Sequence, residues 1–143
     1  MIKDLIITPL QIIDTPGGCV MHAMKNSDSG YVNFGEAYFS EIKSLEIKAW
    51  KRHKDMTLNI VVPSGRIRFV LYDDRDNKNC EFQELVISKS NYCRLTIPPM
   101  IWVGFQGLSS SEFILLNIAD IKHDPEEIDK KNMKEIEFNW GND

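Results

Sequence analysis

The chain has 143 residues, of which 43% are hydrophobic and 27% are charged, and its formal net charge is −4. This length suits one domain whose core is large enough to fold without disulfides or a structural metal. The acidic balance argues against a general nucleic-acid-binding protein, which usually carries a basic excess, and no apolar run approaches the roughly 18 residues of a membrane helix. We therefore expect one domain over residues 1–143, with neither nucleic acid nor a membrane as its partner.

The start of the chain predicts a cytoplasmic protein. Between Met1 and Pro9 the apolar stretch is too short for a signal peptide, the fourth residue is acidic, and no small-residue cleavage site follows. The cysteines Cys19, Cys80 and Cys93 are odd in number and form no C-x-x-C pair, so we expect no disulfide framework. The three histidines are distant from the cysteines in the sequence, and we expect no zinc site.

Apolar residues recur near the N-terminus, at Leu5, Ile7, Leu10, Ile12 and Ile13. This pattern predicts a strand, for which two placements are open. The strand either forms an edge within its own chain or pairs with a second copy, which would cover an exposed edge.

Short apolar or alternating segments follow and are separated by turn signals rich in Pro, Gly, Asn, Asp and Ser. Their spacing of roughly 8–12 residues, with many β-branched and aromatic residues, predicts an all-β sandwich or barrel. The predicted strands cover residues 19–24, 31–39, 45–50, 57–62, 66–72, 81–87, 92–97, 101–106 and 112–118, and a serine turn occupies 109–111.

Three segments predict further local structure. In residues 66–72 hydrophobic side chains alternate with polar ones, which indicates a half-buried strand. The continuous apolar run at 113–118 predicts a strand that is buried on both faces. Near the C-terminus, Asp124 followed by Pro125 and further acids predicts an N-capped, short helical turn.

The sequence KAWKRHK at residues 48–54 is strongly basic, although the chain as a whole is acidic. One interpretation is a solvated loop or strand end, because charge runs usually face water. The other is an anion pocket, for instance for a diphosphate, in which Trp50 stacks on a sugar or base. Among the histidines, we expect His53 to act as the general base.

Strand geometry limits how much of this cluster can serve one site. In a straight strand Lys48, Trp50 and Arg52 point to one side. Lys51 and His53 then point to the other side. All of these charges can share one face only if the strand bulges or ends within the cluster.

Six segments of the chain have the form of family motifs. They are residues 35–40 (GEAYFS), 47–54 (IKAWKRHK), 62–75 (VPSGRIRFVLYDDR), 95–105 (LTIPPMIWVGF), 123–128 (HDPEEI) and 138–140 (FNW). Together they extend over most of residues 30–140, and the segments 62–75 and 95–105 are the most specific as a pair. In these motifs the chain resembles the dTDP-4-dehydrorhamnose 3,5-epimerase family.

The resemblance implies an all-β, cupin-type double-stranded β-helix, or jelly roll, that is usually a homodimer and needs no metal or other cofactor. It also implies a nucleotide-diphospho-sugar partner. The implied reaction epimerises a 4-keto-6-deoxy sugar by proton abstraction next to the ketone, in surface polysaccharide (O-antigen or capsule) biosynthesis. Metal-binding cupins carry an H-x-H pair and a further histidine, whereas here His53 stands alone and Val103 occupies the later position.

The family's catalytic residues match this chain poorly. In an ungapped match, the family's base histidine falls on Lys51 and its aspartate partner falls near Met133. The acid tyrosine falls near Leu115 and the lysine near the ketone falls near Leu58. The arginine of the first motif falls on Lys48, which keeps the charge but not the fork geometry.

Several interpretations remain open. The protein is an epimerase with relocated chemistry, in which Lys51 or His53 is the base and Tyr72 or Tyr38 the acid. Alternatively, it is an isomerase or single-carbon epimerase for a related keto-sugar nucleotide. It can also be a sugar-nucleotide-binding module without turnover, or have an unrelated cupin role. We favour an isomerase-type enzyme, an interpretation that gains support if Lys51 and His53 enter the barrel near a tyrosine hydroxyl.

The candidate site residues follow from these arguments. We expect Lys51, His53 and Tyr72 to be catalytic. The residues expected to bind the substrate are Lys48, Trp50, Arg52, Arg66 and Arg68.

Overall fold

The computed structural model describes residues 1–108 and 112–141, which form two five-stranded antiparallel sheets and a hairpin. The first sheet has the order β1 (Ile6–Pro9), β9 (Cys93–Ile97), β6 (Leu58–Ser64), β11 (Phe113–Ala119) and β4 (Glu36–Ile42). The second has the order β12 (Ile128–Lys130), β5 (Ile47–His53), β10 (Trp102–Gly107), β7 (Ile67–Asp73) and β8 (Glu81–Ile87). The hairpin pairs β2 (Ile12–Thr15) with β3 (Gly18–Met21).

The strand order identifies a jelly roll. From β4 to β7 consecutive strands alternate between the two sheets, β8 stays beside β7, and from β8 to β11 the alternation runs back. Each sheet therefore interleaves strands from both halves of the chain, as in the double Greek key of a cupin-type jelly roll. The all-β cupin fold expected from the sequence is confirmed.

The predicted C-terminal turn is confirmed as a 3₁₀ helix at Pro125–Glu127. The side chain of Asp124 caps it by accepting a hydrogen bond from the backbone N–H of Glu126 at 3.0 Å. The turn leads directly into β12, so it brings the buried side chain of Glu127 against the end of β5.

The core lies between the two sheets. On β7 the side chains of Ile67, Phe69 and Leu71 are fully buried, as the alternation of this segment predicts. On β11 the alternate side chains of Ile114 and Leu116 are only half-buried, so the prediction of a strand buried on both faces is wrong. Although β11 has a neighbour on each side, only its inward-facing side chains reach the core.

The N-terminal strand β1 pairs with β9 of the same chain, with Ile6 opposite Thr96 and Thr8 opposite Arg94. Of the residues predicted to form this strand, those in β1 form an edge strand within the chain, whereas Ile12 and Ile13 lie in the separate β2–β3 hairpin. The opposite edge of the same sheet is β4.

The C-terminal segment covers the outer face of the second sheet. The buried side chains of this outer cluster are Trp50, Val70, Trp102, Ile136 and Trp140. Gly104 on β10 permits the contact, because a Cβ atom there would lie 3.0 Å from the Trp140 ring and 2.9 Å from the Ala49 side chain.

Within residues 1–108 and 112–141, no helix is long and apolar enough to cross a membrane. A single domain over residues 1–143 stays a prediction. The serine turn predicted at 109–111 lies outside the described residues.

Candidate active site

A cavity of about 430 Å³ opens between the two sheets. Its lining side chains come from β4, β6 and β11 of the first sheet and from β5, β10 and β12 of the second. The polar members that matter here are Tyr38, Lys48, Lys51, His53, Asn117, Lys130 and Lys131. Among the described lining residues there are four lysines and no carboxylate, although the whole chain is acidic.

A bulge in β5 brings lysines from both sides of the strand to this cavity. Against β10, Lys51 pairs with Val103 and Lys48 pairs with Phe105. Between these two pairs β5 has two residues and β10 has one, which is a bulge in β5. Lys48 and Lys51 therefore both line the cavity, whereas a straight strand would separate them. The Ala49–Trp50 peptide bond within the bulge is cis.

His53 ends β5 and is buried at the cavity wall. Its Nδ1 atom forms a hydrogen bond with Oε1 of Glu127. The other carboxylate oxygen of Glu127 accepts hydrogen bonds from the backbone N–H groups of Asp55 and Met56, at 3.1 and 3.3 Å. The carboxylate is therefore held through both oxygens, and its orientation toward His53 is fixed.

The surroundings of Glu127 keep its carboxylate ionised. Burial alone raises the pKa of this group, but the hydrogen bonds from His53 and from two backbone amides outweigh burial and lower the pKa below its ordinary value. Because an ionised carboxylate only accepts, Nδ1 of His53 carries a proton, and Nε2 is the ring atom that can exchange a proton with a ligand. An imidazole held in this way can take a proton from a ligand in the cavity when it is in its neutral form.

Lys51 lies among like charges. It pairs in register with Lys130 of β12. Partial burial, followed by the positive charges of Lys130 and Lys48, lowers the pKa of Lys51 below its ordinary value. Lysines placed this close repel one another, and an anionic ligand would relieve the repulsion.

The other two lysines have contacts within the protein. Lys48 donates through Nζ to the backbone oxygen of Glu41 at 2.9 Å. The ammonium of Lys131 lies 4.9 Å from the centre of the Trp102 ring. Both residues also line the cavity. Lys48 adds to its positive potential, whereas the charge of Lys131 lies over a ring of the outer cluster.

Tyr38 reaches the cavity from β4, in the sheet opposite to His53. It lies opposite Asn117 of β11, and the Asn117 side-chain amide donates a hydrogen bond to the Tyr38 hydroxyl at 3.0 Å. The cavity therefore combines an imidazole from one sheet with a phenol from the other. A ligand between them would meet a proton acceptor and a hydroxyl on different walls.

No established protein-family model matches the chain. The probable low-salt glycan biosynthesis epimerase Agl13 of Haloferax volcanii is 26% identical over 136 residues, which cover 92% of this chain and 87% of that protein. A solved dTDP sugar isomerase from Desulfovibrio desulfuricans G20 is 33% identical, with a TM-score of 0.87, and the match covers 91% of this chain and 85% of that one. The chain belongs to the cupin family of dTDP-sugar isomerases and epimerases.

A third comparison supports the fold of this cupin. A dTDP-6-deoxy-D-glucose-3,5-epimerase from Legionella pneumophila, solved with dTDP-4-keto-L-rhamnose, has a TM-score of 0.78 at 17% identity, over 90% of this chain and 73% of that one. The resemblance inferred from the sequence motifs is confirmed at the level of the family.

The structure contains a histidine–carboxylate pair that the residue matching from the motifs does not include. The ungapped match puts the base histidine on Lys51 and its acidic partner near Met133, whereas the cupin pairs His53 with Glu127. The reason is the pairing of β12 with β5, which sets Ile128 opposite His53 and brings the preceding residue to the imidazole. A linear match between motifs contains no information about this cross-strand partner.

Tyr72 lies outside the lining of the cavity. Its ring packs against Phe82, with 4.5 Å between the ring centroids, beside the outer cluster. A hydrogen bond to the Cys80 thiol, with burial and the nearby charge of Asp74, raises the pKa of Tyr72 to about 12. The phenol that the cupin brings to the cavity is Tyr38, the alternative weighed from the sequence.

Arg52 and Trp50 also turn away from the cavity. Arg52 forms ion pairs with Asp129 at 2.7 Å and Asp74 at 3.4 Å, and it stacks on the Trp102 ring. Trp50 borders the cavity, but its indole is buried in the outer cluster and donates to the backbone oxygen of Ile136 at 3.1 Å. It is therefore not free to act as the stacking platform expected from the sequence.

The two arginines of the 66–72 segment lie on the far side of the second sheet or in solvent. Arg68 donates to Gln106 and to the backbone oxygen of Trp140, which anchors the C-terminal segment. Arg66 is exposed in the connection between β6 and β7. The inward face of β7 carries hydrophobic residues, so these polar positions necessarily point outward.

Sequence reasoning missed several lining or supporting residues. In the sequence Glu127 is only one of several acids near a helix N-terminus, and Asn117 lies inside an apolar run without a motif of its own. Lys130 and Lys131 follow a turn and show no pattern. The one local signal that points to Asn117 is a polar residue on the inward, buried face of a strand.

Proposed function

We propose that this cupin is a sugar-nucleotide isomerase that catalyses 3,5-epimerisation of a dTDP-4-keto-6-deoxy sugar by removing protons next to the ketone. The observation that carries the proposal is the His53–Glu127 pair at the wall of a cavity lined by four lysines. The relatives named as a dTDP sugar isomerase and a glycan biosynthesis epimerase support the substrate class.

The lysines supply the binding step. A nucleoside diphosphate brings several negative charges, and a cavity lined by cations without a carboxylate among its described lining residues attracts such a ligand. Lys51 and Lys130 stand side by side, so a bridging anion lowers their mutual repulsion as well as binding them. The positive cavity in an acidic protein is thus suited to a diphosphate.

The chemical step needs a base, a stabilised enolate and an acid. Nε2 of His53 takes the proton from the carbon next to the ketone, and the C–H electron pair moves into an enolate. A lysine ammonium at the cavity stabilises the charge on the former ketone oxygen. The hydroxyl of Tyr38 then supplies a proton to the carbon, and inversion results if it does so from the opposite face.

The placement of the two groups supports epimerisation in particular. His53 is on β5 of the second sheet, and Tyr38 is on β4 of the first. Inversion requires that a proton leaves from one face of the sugar ring and returns on the other. Groups on strands of two facing sheets meet that requirement better than two groups on one strand.

A second candidate is isomerisation, or epimerisation at a single carbon, of a related keto-sugar nucleotide. It is favoured by the 33% identity to a dTDP sugar isomerase. In the isomerisation one base can move the proton from C3 to C4 on the same face, whereas epimerisation at one carbon returns a proton to that carbon from the other face. The two candidates share the enolate and differ in where the proton returns.

Hydrogen exchange separates the candidates. The protein is incubated with dTDP-4-keto-6-deoxyglucose in heavy water, and the C3 and C5 hydrogens are followed by NMR. We expect exchange at both carbons with inversion. Loss of the C3 hydrogen with a deuteron gained at C4 and the carbonyl moved to C3 would identify an isomerase. Absence of exchange, together with tight dTDP-sugar binding by calorimetry, would overturn catalysis and leave the binding module.

A Tyr38→Phe variant tests the acid, and Tyr72→Phe is its matched control because Tyr72 lies outside the cavity lining. We expect Tyr38→Phe to lose product formation by about 10²-fold, in the range typical of general acid catalysis. Tyr72→Phe is expected to keep the activity. The reverse result would restore Tyr72 as the acid.

We also propose that the protein is a homodimer in which the β4 edge is covered. Val32, Phe34 and Phe39 are exposed by 62%, 59% and 69%, and they lie on or just before this edge strand. Apolar side chains beside an open strand edge favour association. Light scattering on the wild type should give twice the chain mass, and Phe39→Glu should shift the protein toward the monomer.

The proposed setting is the cytoplasm and the biosynthesis of a surface polysaccharide such as O-antigen or capsule. Cys19, Cys80 and Cys93 are all free thiols, which suits a reducing compartment. The glycan biosynthesis relative supports the pathway class. Fractionation and the glycan profile of a deletion strain would test both points.

A further inference from the structure

Asn117 is a buried amide in the wall of the cavity, and both ends of its side chain are engaged. It is only 2% exposed. Its Oδ1 atom accepts a hydrogen bond from the backbone N–H of Asn59 at 3.1 Å, and its Nδ2 atom donates to the Tyr38 hydroxyl at 3.0 Å.

These contacts determine which way the amide points. A backbone N–H can only donate, so the atom facing Asn59 must be the amide oxygen. The amide nitrogen therefore faces Tyr38, and the phenol oxygen is the acceptor of that bond. Because the oxygen accepts from Asn117, the hydrogen of the Tyr38 hydroxyl is left to point elsewhere, and Tyr38 lines the cavity.

The support continues one layer deeper. The Asn59 side chain donates to the backbone oxygen of Gly30 at 3.1 Å and accepts from the Thr96 hydroxyl at 2.6 Å. A carbonyl only accepts, so the orientation of the Asn59 amide is also determined. Backbone groups thus anchor the chain of hydrogen bonds at Asn59 and Gly30, and its free end is the Tyr38 hydroxyl.

We infer that Asn117 is a positioning residue, which holds Tyr38 as a hydrogen-bond donor toward a ligand in the cavity. The inference rests on the proposed function. When Tyr38 protonates the enolate carbon, its O–H bond breaks, a C–H bond forms, and the electron pair remains on the phenolate. The Asn117 amide stabilises that phenolate, which then regains a proton from water, while His53 releases its proton to solvent.

Asn117→Asp reverses the polarity of the contact with little change of shape. An aspartate can still accept from the Asn59 amide, but its second oxygen accepts from Tyr38 and turns the phenol hydrogen away from the cavity. We expect His53 to go on removing protons while reprotonation from the other face fails. Unreacted substrate then gains deuterium without inversion, and the ratio of exchange to product rises by about tenfold or more.

A general loss of structure would change this result in a recognisable way. It would lower exchange and product formation together and leave their ratio unchanged, and that outcome would overturn the inference. Asn77→Asp is the charge-matched control, since Asn77 is exposed in the connection between β7 and β8. We expect it to leave the ratio at the wild-type value.

Asn117→Leu gives a second test if the aspartate variant does not fold. Leucine removes the donor without adding an acceptor, so the Tyr38 hydroxyl is released rather than turned away. We expect a smaller rise in the ratio than for aspartate. A purely structural role predicts an unchanged ratio in both variants and a larger loss of exchange for leucine than for aspartate, because leucine leaves the buried Asn59 amide without its acceptor.

A readout independent of activity separates this inference from the proposed function. With tyrosine labelled at ¹³Cζ, the Tyr38 resonance is assigned by its absence in Tyr38→Phe. We expect it to shift in Asn117→Asp and to stay in Asn77→Asp, because only the former changes the hydrogen bonding of the phenol. A shift without any wild-type exchange would refute the proposed reaction alone, and an unmoved resonance would refute the role of Asn117.

Discussion

The two faces of β5 carry similar residues and use them in opposite ways. On the outer face, Arg52 is neutralised by Asp129 and Asp74 and stacks on Trp102. On the inner face, Lys51 stands beside other lysines in a cavity where the described lining residues include no carboxylate. The outer face is covered by the C-terminal segment and has its charge paired, whereas the inner face opens on the cavity and its lysines have no carboxylate among the described lining residues.

The difference shows how a short basic cluster divides into structural and ligand-binding parts. The acids that pair with Arg52 come from the end of β7 and from β12, and both reach only the outer face. The inner face keeps uncompensated charge at some cost in stability, and this cost can be recovered when an anion binds. The unpaired charges, rather than the number of charges, mark the site.

The largest expected effect comes from removing the proton acceptor of the inner face. His53→Asn should lower substrate hydrogen exchange by about 10³-fold, because the proton acceptor is lost while the lysines still bind the diphosphate. NMR exchange rates and calorimetric dTDP affinity measure the two effects separately. His123→Asn, which changes an exposed histidine, is the control. Retention of more than about a tenth of the exchange rate would remove His53 from its role.

The next effect concerns the outer face and should leave the chemistry intact. Trp140→Ala is expected to lower the free energy of unfolding by about 3 kcal/mol, because a large aromatic is lost from the outer cluster. Denaturant unfolding measures this change. Exchange activity per folded molecule should stay near the wild-type value, and Glu137→Ala, at an exposed neighbour, should alter neither quantity. A selective loss of activity in Trp140→Ala would contradict the division between the two faces.

Glu127→Gln tests the connection between the turn and the base. A glutamine no longer favours the tautomer with the proton on Nδ1 of His53, so we expect exchange to fall by about 10²-fold with little change in dTDP affinity. Glu126→Gln makes the same chemical change on the adjacent, exposed residue. Equal activity of both variants would show that the buried carboxylate has no part in the reaction.

The same pair of variants gives a pH test. The ordinary pKa of the Glu127 carboxyl is 4.5, and its folded-state pKa is lower. Its contribution to stability is therefore fully present above about pH 4.5 and is lost as the pH falls through the folded-state pKa. Acid unfolding curves should show a shallower pH dependence for Glu127→Gln than for Glu126→Gln. Identical slopes would refute the ionised pairing.

The smallest expected effect tests whether the lysines of the inner face repel one another in the free protein. Lys51→Met removes one repelling charge and one ligand contact, so dTDP affinity should fall roughly tenfold. The melting temperature of the free protein should rise by about 1–2 °C. Lys54→Met is the control, since Lys54 is exposed and lies near Asp129 rather than in the cavity. A lower melting temperature for Lys51→Met would indicate that Lys51 stabilises the free fold.

Local patterns predicted most of the strands because each strand needs only its own alternation and its own turn residues. The capped turn at Asp124 and the strand at 66–72 are examples, and the structure confirms both. The run at 113–118 shows the limit of such reasoning. Its outward residues are apolar but only half-buried, so hydrophobicity alone overstated the burial of β11.

The candidate site was harder to predict because its members are brought together by pairing between distant strands. Glu127 is 74 residues from His53, and Tyr38 is 79 residues from Asn117. The sequence also contains two tyrosines of similar local character, Tyr38 and Tyr72. Only the sheet that each strand joins decides which of them reaches the cavity.

The sequence by itself determined that this chain forms short alternating strands, that a basic cluster interrupts an acidic protein, and that its motifs match a sugar-nucleotide cupin family. Tertiary structure decided which face of the cluster is the cavity, where the bulge puts Lys48 beside Lys51, and that His53 has an acidic partner. The physical reason is that alternation assigns residues to two faces of a strand but does not determine which face lines the cavity. In this jelly roll both faces of β5 contact other parts of the chain, and only the pairing of the strands determines which face lines the cavity.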